Sequence, residues 1–390
     1  MNSQLQMSRL NNISYKKTMN IAFDAKRAFH NSRGLGNYSR DTIRLLSSFY
    51  PENNYLLFNP KDKRNIQFLL GESTKEILPD SFLGRLFPSI WRSKGMCHQI
   101  SSNAVDIYHG LSQELPLGIC NTGARTVVTM HDAIFMRYPQ LYSSAYRAIF
   151  IQKNKYACRV ADRIIAISEQ TKRDIMEYFD ADEDKISVVY QGCNNIFRAP
   201  VSDEAKERIR NKYNLPEYFL LNVGAIERRK NVALIIEAMQ RKQIDAHLVI
   251  VGKLELSYFK EVRELISKYG LDNQVHFIHN AETVDLPVIY SLAEIFIYPS
   301  IFEGFGIPIL EALCVGTPVI SSTGSCFEET GGTNSRYINP QDADELGDAI
   351  LEIFNDSSLK NEMKLKGLEF SEQFTDQRVA QNLMKVYQSL

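Results

Sequence analysis

The chain of 390 residues has no apolar run that approaches the ~20 residues a helix needs to cross a bilayer. Its six cysteines are scattered and include no Cys-x-x-Cys pair, which argues against both a zinc site and a disulfide framework. The 45 Lys and Arg against 46 Asp and Glu leave a formal net charge of -1, so no global charge draws the chain to nucleic acid. We therefore expect a cytoplasmic protein with reduced thiols and no nucleic-acid partner, in which any anion site is local.

A length of 390 residues suggests two domains, each large enough for a core of its own. Short apolar strands alternate with helices along the chain, a pattern typical of an α/β fold with parallel sheets. The clearest predicted strands are Asn20–Asp24, Thr126–Met130, His247–Val251, Val275–Ile278 and Ile295–Tyr298. We predict two Rossmann-like, doubly wound halves that face each other across a cleft, because such sheets bind ligands beyond the carboxyl ends of their strands.

Composition suggests where these parts begin and end. Residues 1–18 are polar and basic, and we interpret them as an extension before the first strand. Residues 19–195 form the predicted N-terminal domain and residues 196–374 the second domain. The linker between them lies in the polar, irregular stretch Gly192–Pro200. Residues 375–390 form a separate C-terminal helix.

The stretch Glu303–Glu311, with the sequence EGFGIPILE, sets two acids on either side of a Gly-x-Gly turn. Pro308 after the turn is favourable in the first turn of a helix, where free backbone N–H groups can bind phosphate. Glu303 then lies before the helix and Glu311 one to two turns inside it. Both can reach one elongated ligand with hydroxyls at each end of a diphosphate, which describes a sugar nucleotide. An ordinary helix-surface acid is the alternative interpretation of Glu311.

Three consecutive cations, Arg228, Arg229 and Lys230, follow the predicted strand Tyr218–Val223 and precede a predicted helix at Val232–Met239. Cations beside the start of a helix form a local anion site. A solvated basic turn explains the same residues, and the sequence alone leaves both interpretations open.

The stretch Tyr298–Ile320 resembles the donor-site signature of the family 4 glycosyltransferases. The likeness continues in Gly224–Asn231, in His131-Asp132 and in Gly34-Leu35-Gly36, in the family's order, and covers nearly all of the chain after about residue 19. The resemblance implies the two-domain GT-B fold, a retaining reaction without a metal or other cofactor, and a last helix that crosses back to the first domain.

The resemblance also implies roles for individual residues. Arg229 and Lys230 are expected to hold the donor diphosphate, Glu303 the hydroxyls of the donor sugar, and Glu311 the ribose. His131, at the end of a predicted strand, is expected to hydrogen-bond the donor sugar or the acceptor. The backbone near the donor is expected to be formed by Gly34, Gly36, Gly224, Phe305, Gly306 and Ile307. One position departs from the family pattern, since Ala225 stands where many relatives carry an arginine.

The predicted function is the transfer of a hexose from a nucleotide-sugar to a glycan or a lipid-linked oligosaccharide. By resemblance, mannose from GDP-mannose is the first choice, in bacterial surface-polysaccharide (lipopolysaccharide) synthesis. A UDP-sugar donor and a catalytically weak, sugar-nucleotide-binding partner subunit remain alternatives. A dinucleotide-dependent oxidoreductase fits poorly, because Gly34 comes about ten residues after the first strand and no third glycine follows Gly36 as that fingerprint requires.

The last prediction concerns a basic and apolar segment of the first domain. Its apolar residues are Phe82, Leu83, Leu86, Phe87, Ile90 and Trp91, interleaved with Arg85, Arg92 and Lys94. Such a surface can lie on the inner face of the cytoplasmic membrane, where a lipid-linked acceptor is carried. A helix that packs on the domain with its basic residues outward explains the segment equally well. The sequence leaves the oligomeric state open.

Overall fold

The computed structural model describes residues 18–64, 66 and 71–390. The strands of this part of the chain are β1 (Asn20–Asp24), β2 (Asn54–Phe58), β3 (Thr74–Ile77), β4 (Ile107–Gly110), β5 (Arg125–Met130), β6 (Arg163–Ala166), β7 (Ile186–Val188), β8 (Phe219–Val223), β9 (His247–Val251), β10 (Val275–Ile278), β11 (Ile295–Tyr298), β12 (Val319–Ser322) and β13 (Arg336–Ile338). They form a seven-stranded sheet in the order β3-β2-β1-β4-β5-β6-β7 and a six-stranded sheet in the order β10-β9-β8-β11-β12-β13.

Helices connect most of these strands. They are α1 (Lys26–His30), α2 (Gly34–Phe49), α3 (Phe82–Leu86), α4 (Pro88–Ile90), α5 (Met96–Ser102), α6 (Ile134–Arg137), α7 (Ser144–Val160), α8 (Glu169–Phe179), α9 (Asp203–Tyr213), α10 (Val232–Arg241), α11 (Leu256–Tyr269), α12 (Leu286–Leu292), α13 (Ile307–Val315), α14 (Phe327–Gly331), α15 (Ala343–Asn355), α16 (Ser357–Ser371) and α17 (Asp376–Gln388). Two parallel sheets with connecting helices confirm the predicted α/β class. Strands β1, β9, β10 and β11 have the predicted bounds.

The described residues divide into two compact units. The first contains the residues up to Val128, with Val160–Asp162 and Leu390, and the second contains Thr129–Arg159 and Arg163–Ser389. The predicted domain bounds 19–195, 196–374 and 375–390 stay predictions. Of the predicted extension 1–18, residues 1–17 lie outside the described residues.

The second unit has a continuous apolar core around its sheet. Leu220 on β8, Leu248 on β9 and Ile295 on β11 are fully buried, and Ile235 on α10 and Ile350 on α15 belong to the same buried cluster. These strands are mostly apolar, as expected for a parallel sheet that helices cover on both faces. The core fixes the carboxyl ends of β8 and β11, from which the candidate site is built.

In the first unit, Trp91 and Arg92 lie inside the domain, so their assignment to a surface is wrong. The Trp91 indole is buried and donates from Nε1 to Gln99 Oε1 at 2.7 Å. Arg92 bonds Asp24 Oδ2 from Nε at 2.7 Å and Glu114 Oε2 from Nη1 at 2.6 Å. Burial opposes the charge of Arg92, but the two carboxylates raise its pKa above the ordinary value. This ion cluster anchors the segment to the carboxyl end of β1.

The neighbouring apolar side chains point outward. Phe82 is 78% exposed, Leu83 66% and Ile90 61%. These three side chains do not pack on the domain, whereas Trp91 does. The packed alternative therefore holds for only part of the segment. Among the described residues, no helix is long and apolar enough to span a bilayer.

Candidate active site

Glu303 is the centre of a cluster of charges in the second unit. Its Oε1 lies 2.6 Å from Arg229 Nη1 and 2.6 Å from Lys230 Nζ. The carboxylate follows β11 in the chain, and both cations belong to a 3₁₀ turn that follows β8, the strand next to β11 in the sheet. Since the carboxyl ends of neighbouring parallel strands meet at one edge of the sheet, residues more than 70 positions apart come together.

Both cations have further partners that hold them in place. The Lys230 ammonium donates to the Tyr298 hydroxyl and lies 4.8 Å from the centre of the Tyr298 ring. The Arg229 guanidinium donates to the Phe302 carbonyl at 2.6 Å and pairs with Glu227 Oε1 at 2.6 Å. The cluster is thus rigid, with the cations held beside one carboxylate.

The cations determine the charge state of Glu303. Burial raises the pKa of a carboxyl group, but Lys230 and Arg229 more than offset this and lower the pKa of Glu303 to about 2. Burial lowers the pKa of Lys230, while Glu303 opposes the shift. Glu303 therefore stays ionised at neutral pH as a hydrogen-bond acceptor.

The Gly-x-Gly turn starts a helix as predicted. Gly306 has φ +90° and immediately precedes α13, in which Ile307 and Pro308 are the first two residues. The φ value explains the glycine, because this left-handed region is unfavourable for other residues. The first amides of a helix have no partner in the helix itself. The amides at Gly306 and Ile307 are therefore suited to an anion.

Phe305 contributes its backbone to this turn while its side chain lies in the core. The ring stacks on Tyr190 at 5.8 Å and meets Phe374 edge-on at 5.9 Å. Its carbonyl accepts a hydrogen bond from the Thr330 hydroxyl. These contacts fix the turn from the side of the core.

Glu311 lies on α13, in the second turn of the helix as predicted. Its Oε2 accepts a hydrogen bond from the Tyr290 hydroxyl at 3.0 Å. Burial raises the pKa of Glu311 to about 7, although the bond from Tyr290 lowers it. Glu311 is only partly exposed, and its buried tyrosine partner favours a role in the site over that of an ordinary helix-surface acid.

Gly224 directly follows β8 and has close backbone neighbours. Its N–H bonds the Val251 carbonyl at 2.9 Å, and its own carbonyl would lie 1.7 Å from a Cβ placed on Gly252. Two strand ends thus approach each other with no room for a side chain. Asn231 then fixes the loop, since its Nδ2 donates to the carbonyls of Pro299 and Pro340 at 3.1 and 2.8 Å.

His131 follows β5 and adjoins the Glu303 turn within the second unit. A Cβ on Gly304 would come within 2.1 Å of the His131 carbonyl oxygen, so only glycine fits. Asp132 accepts from the Ile134 N–H at 3.1 Å. Burial raises the pKa of Asp132, which is opposed by that hydrogen bond and by the nearby charge of Arg229. The structure thus brings together His131, Glu303, Arg229 and Lys230.

The predicted glycines of the first unit differ from each other. A Cβ on Gly36 would lie 1.8 Å from the Asn31 carbonyl oxygen, whereas one on Gly34 meets nothing within 4 Å. Gly36 is therefore required by a close backbone approach. His109 is fully buried with its ring 5.9 Å from that of Phe23, which favours a structural role.

Three other charged residues of the second unit have partners outside the cluster. Arg228 pairs outside the cluster, where its Nη2 lies 2.6 Å from each carboxylate oxygen of Glu261. Asp182 and Asp342 accept backbone N–H groups at the starts of helical turns. Among the residues that the structure describes, no group of three or more His, Cys, Asp or Glu side chains could hold a metal ion.

Two family models match the chain. The model described as Glycosyltransferase Family 4 matches residues 57–195, and the model described as Glycosyl transferases group 1 matches residues 203–369, which include the Glu303 cluster. The chain belongs to the family 4 glycosyltransferases. Its two parallel sheets agree with the GT-B fold that the resemblance implies.

Relatives of this family 4 glycosyltransferase include two proteins of Escherichia coli. The serotype-specific mannosyltransferase WbdA is 28% identical over 277 residues, which are 68% of this chain and 34% of WbdA. The chain thus spans only about a third of that relative's length. The O-antigen chain mannosyltransferase B is 26% identical over 73% of this chain and 74% of its own. The structure of Anabaena Alr3699/HepE in complex with UDP has a TM-score of 0.72 at 18% identity, over 96% of this chain and 100% of that one.

The sequence analysis did not predict several residues of the candidate site in this glycosyltransferase. They are Glu227, Gly252, Tyr290, Tyr298 and Gly304. Tyr298 and Gly304 stand inside the quoted signature, so their position was a usable signal. Tyr290 and Gly252 act through contacts with residues distant in the chain, and nothing local marks them.

Proposed function

We propose that this chain is a retaining glycosyltransferase that transfers mannose from GDP-mannose to a glycan or a lipid-linked glycan without a metal ion. One observation carries the proposal: Arg229 and Lys230 both meet Glu303 Oε1 at 2.6 Å beside the start of α13. The carboxylate suits the hydroxyls of a sugar, and the cations and helix amides suit a diphosphate. The mannosyltransferases among the relatives support mannose.

In the proposed reaction, the bond between C1 of the sugar and the diphosphate breaks as a bond from the acceptor oxygen to C1 forms on the same face. The acceptor proton passes to an oxygen of the departing diphosphate. Arg229, Lys230 and the first amides of α13 stabilise the charge that develops there. One cation at ~4 Å contributes about 4 kcal/mol at an effective dielectric constant near 20. Two cations and a helix terminus can thus replace a metal ion.

The other residues bind and orient the donor. Glu303 accepts hydrogen bonds from hydroxyls of the sugar, and Glu311 accepts from the ribose. The Thr171 hydroxyl bonds the His131 carbonyl at 3.2 Å and so holds this segment in place. The imidazole of His131 is proposed to hydrogen-bond the donor sugar or the acceptor.

The test is a transfer or hydrolysis assay with GDP-mannose, in which the product's anomeric configuration is read by NMR with and without a chelator. We expect an α-linked first product that keeps the donor configuration, and a rate that the chelator does not change. Inversion at C1, or loss of activity that added magnesium restores, would contradict the proposed chemistry.

A UDP-sugar is the second candidate donor, favoured by the UDP complex of the structurally similar HepE. A thermal-shift panel of GDP- and UDP-sugars decides between the donors, because only a bound ligand stabilises the folded state. A shift with one nucleotide but no transfer or hydrolysis with any acceptor would instead favour the catalytically weak partner subunit.

We also infer that the exposed apolar segment contacts a membrane that carries the acceptor. Phe82, Leu83 and Ile90 are exposed beside the cations Arg85 and Lys94, a combination that suits an anionic bilayer surface. Co-sedimentation with vesicles of phosphatidylglycerol and phosphatidylethanolamine tests this. We expect binding that falls in the Phe82→Ser and Ile90→Ser variant, and no binding by the wild type would remove the inference.

A further inference from the structure

The start of α8 contacts two segments of the candidate active site, all within the second unit. Ser168 is the N-cap of α8, and its Oγ accepts the Thr171 N–H at 3.0 Å and donates to the Gly304 carbonyl at 2.7 Å. The Thr171 hydroxyl donates to the His131 carbonyl at 3.2 Å. Two hydroxyls of one helical turn thus bond the segments that carry Glu303 and His131.

These two segments touch each other directly. A Cβ on Gly304 would lie only 2.1 Å from the His131 carbonyl oxygen, so the two backbones are in contact. A small movement of the start of α8 therefore displaces both segments together. Displacements of about 1 Å at a reacting centre can lower a rate a hundredfold.

Glu329, on α14, caps the start of α8. Its carboxylate accepts the Glu169 N–H at 2.6 Å and the Gln170 N–H at 2.9 Å. An acid at this end of a helix is favourable, because it bonds free amides and complements the helix dipole. Ser325, four residues earlier, accepts the Glu303 N–H at 3.1 Å and donates to the Glu303 carbonyl at 2.9 Å. The Glu303 turn is thus held from both sides.

We propose that Ser168, Thr171 and Glu329 are positioning residues that fix Glu303 and His131 relative to each other. Ser168 is the decisive member because it both caps the helix and donates to the Glu303 turn. The catalytic part of this inference rests on the proposed function, whereas the positioning itself can be measured without activity.

The experiment separates the two roles of Ser168. Ser168→Gly keeps most of the capping, since glycine is a tolerable N-cap, but removes the donor to Gly304. Ser202→Gly is the matched control, because Ser202 caps α9 by accepting the Ala205 N–H at 3.2 Å. Ser168→Thr retains the hydroxyl and serves as the conservative variant. Amide hydrogen exchange of the peptide that spans residues 301–309 is compared with kcat and KM for the donor.

We expect exchange in this peptide about fivefold faster in Ser168→Gly, from the loss of one hydrogen bond, with kcat about tenfold lower and KM for the donor nearly unchanged. Ser202→Gly and Ser168→Thr should match the wild type. Equal exchange in the two glycine variants would overturn the proposal, and so would faster exchange with an unchanged kcat. Faster exchange in a chain that transfers no sugar would instead support the positioning and refute the proposed function.

Discussion

The two acids of one motif, Glu303 and Glu311, have opposite electrostatic properties. Both are withdrawn from water, yet the pKa of Glu303 is lowered to about 2 and that of Glu311 is raised to about 7. Two cations contact Glu303 at 2.6 Å, whereas Glu311 has the neutral Tyr290 hydroxyl at 3.0 Å. Burial alone pushes a carboxyl group towards its neutral form, and at Glu303 the two cations reverse this.

The two acids are therefore expected to have different tasks at the two ends of the proposed donor site. Glu303 remains a fixed charge across the physiological pH range, coupled to the cations that the diphosphate is proposed to contact. Glu311 changes its charge near neutral pH, and among the described residues its hydrogen-bond partner is the neutral Tyr290 hydroxyl. Variants that remove a cation, a charge or a hydrogen bond should therefore affect the two ends unequally.

Removal of Lys230 should have the largest effect. Lys230→Ala takes one cation from Glu303 and from the leaving diphosphate, and we expect turnover to fall by about three orders of magnitude. The fold should survive, because Arg229 still pairs with Glu303. Steady-state kinetics measure the turnover, and a thermal melt measures the stability of the fold.

Arg228→Ala is the matched control for this prediction. Arg228 is the neighbouring cation, but it pairs with the exposed Glu261 outside the cluster. Its removal should leave turnover close to that of the wild type. Equal losses in both variants would mean that the basic turn acts only through its overall charge.

Neutralisation of Glu303 should have a smaller effect of a different kind. Glu303→Gln keeps the shape of the side chain but removes the charge shared by Arg229 and Lys230, so both cations become free for phosphate. We expect kcat to fall about a hundredfold while GDP binds at least as tightly. Calorimetry measures the affinity for GDP, and transfer kinetics measure kcat. If GDP binding weakened by the same factor, Glu303 would act by holding the cations and not by holding the sugar.

Most strands could be predicted from the sequence, including the edge strand β10, but the edge strands β3 and β13 could not. Strands β9, β10 and β11 are short, mostly apolar runs, and their predicted bounds agree with the structure. Strand β3 lies at a sheet edge and buries only Ile77, while β13 buries only Ile338. Without a continuous apolar run, neither strand carries the signal on which the predictions depend.

The site was predictable where adjacent residues carry its chemistry. Gly306, with its left-handed φ, and the Arg229-Lys230 pair follow from local patterns. The partners that tune them lie far away in the chain, as Tyr290 does from Glu311, and a single sequence does not reveal such contacts. Arg92 was misread for the same reason, because its partner Asp24 is 68 residues distant.

The smallest predicted effect concerns the pH dependence of donor binding through Glu311. Its pKa of about 7 means that the carboxyl group is mostly neutral at pH 6 and mostly ionised at pH 8. If the ionised form accepts hydrogen bonds from the ribose, the affinity for GDP-mannose should rise about tenfold over this interval, in proportion to the ionised fraction. Calorimetry with GDP-mannose measures this affinity at each pH. The ligand suits the experiment because its diphosphate is substituted at both ends and does not titrate between pH 6 and pH 8.

Two variants sharpen this last prediction. Glu311→Gln should flatten the profile. Tyr290→Phe should move its midpoint to higher pH, because the hydroxyl of Tyr290 bonds the carboxylate and lowers its pKa. An affinity that falls as the pH rises would mean that the protonated carboxyl group donates to the ribose. In that case the neutral form, which burial favours and which Glu303 never adopts near pH 7, would be the one selected for binding.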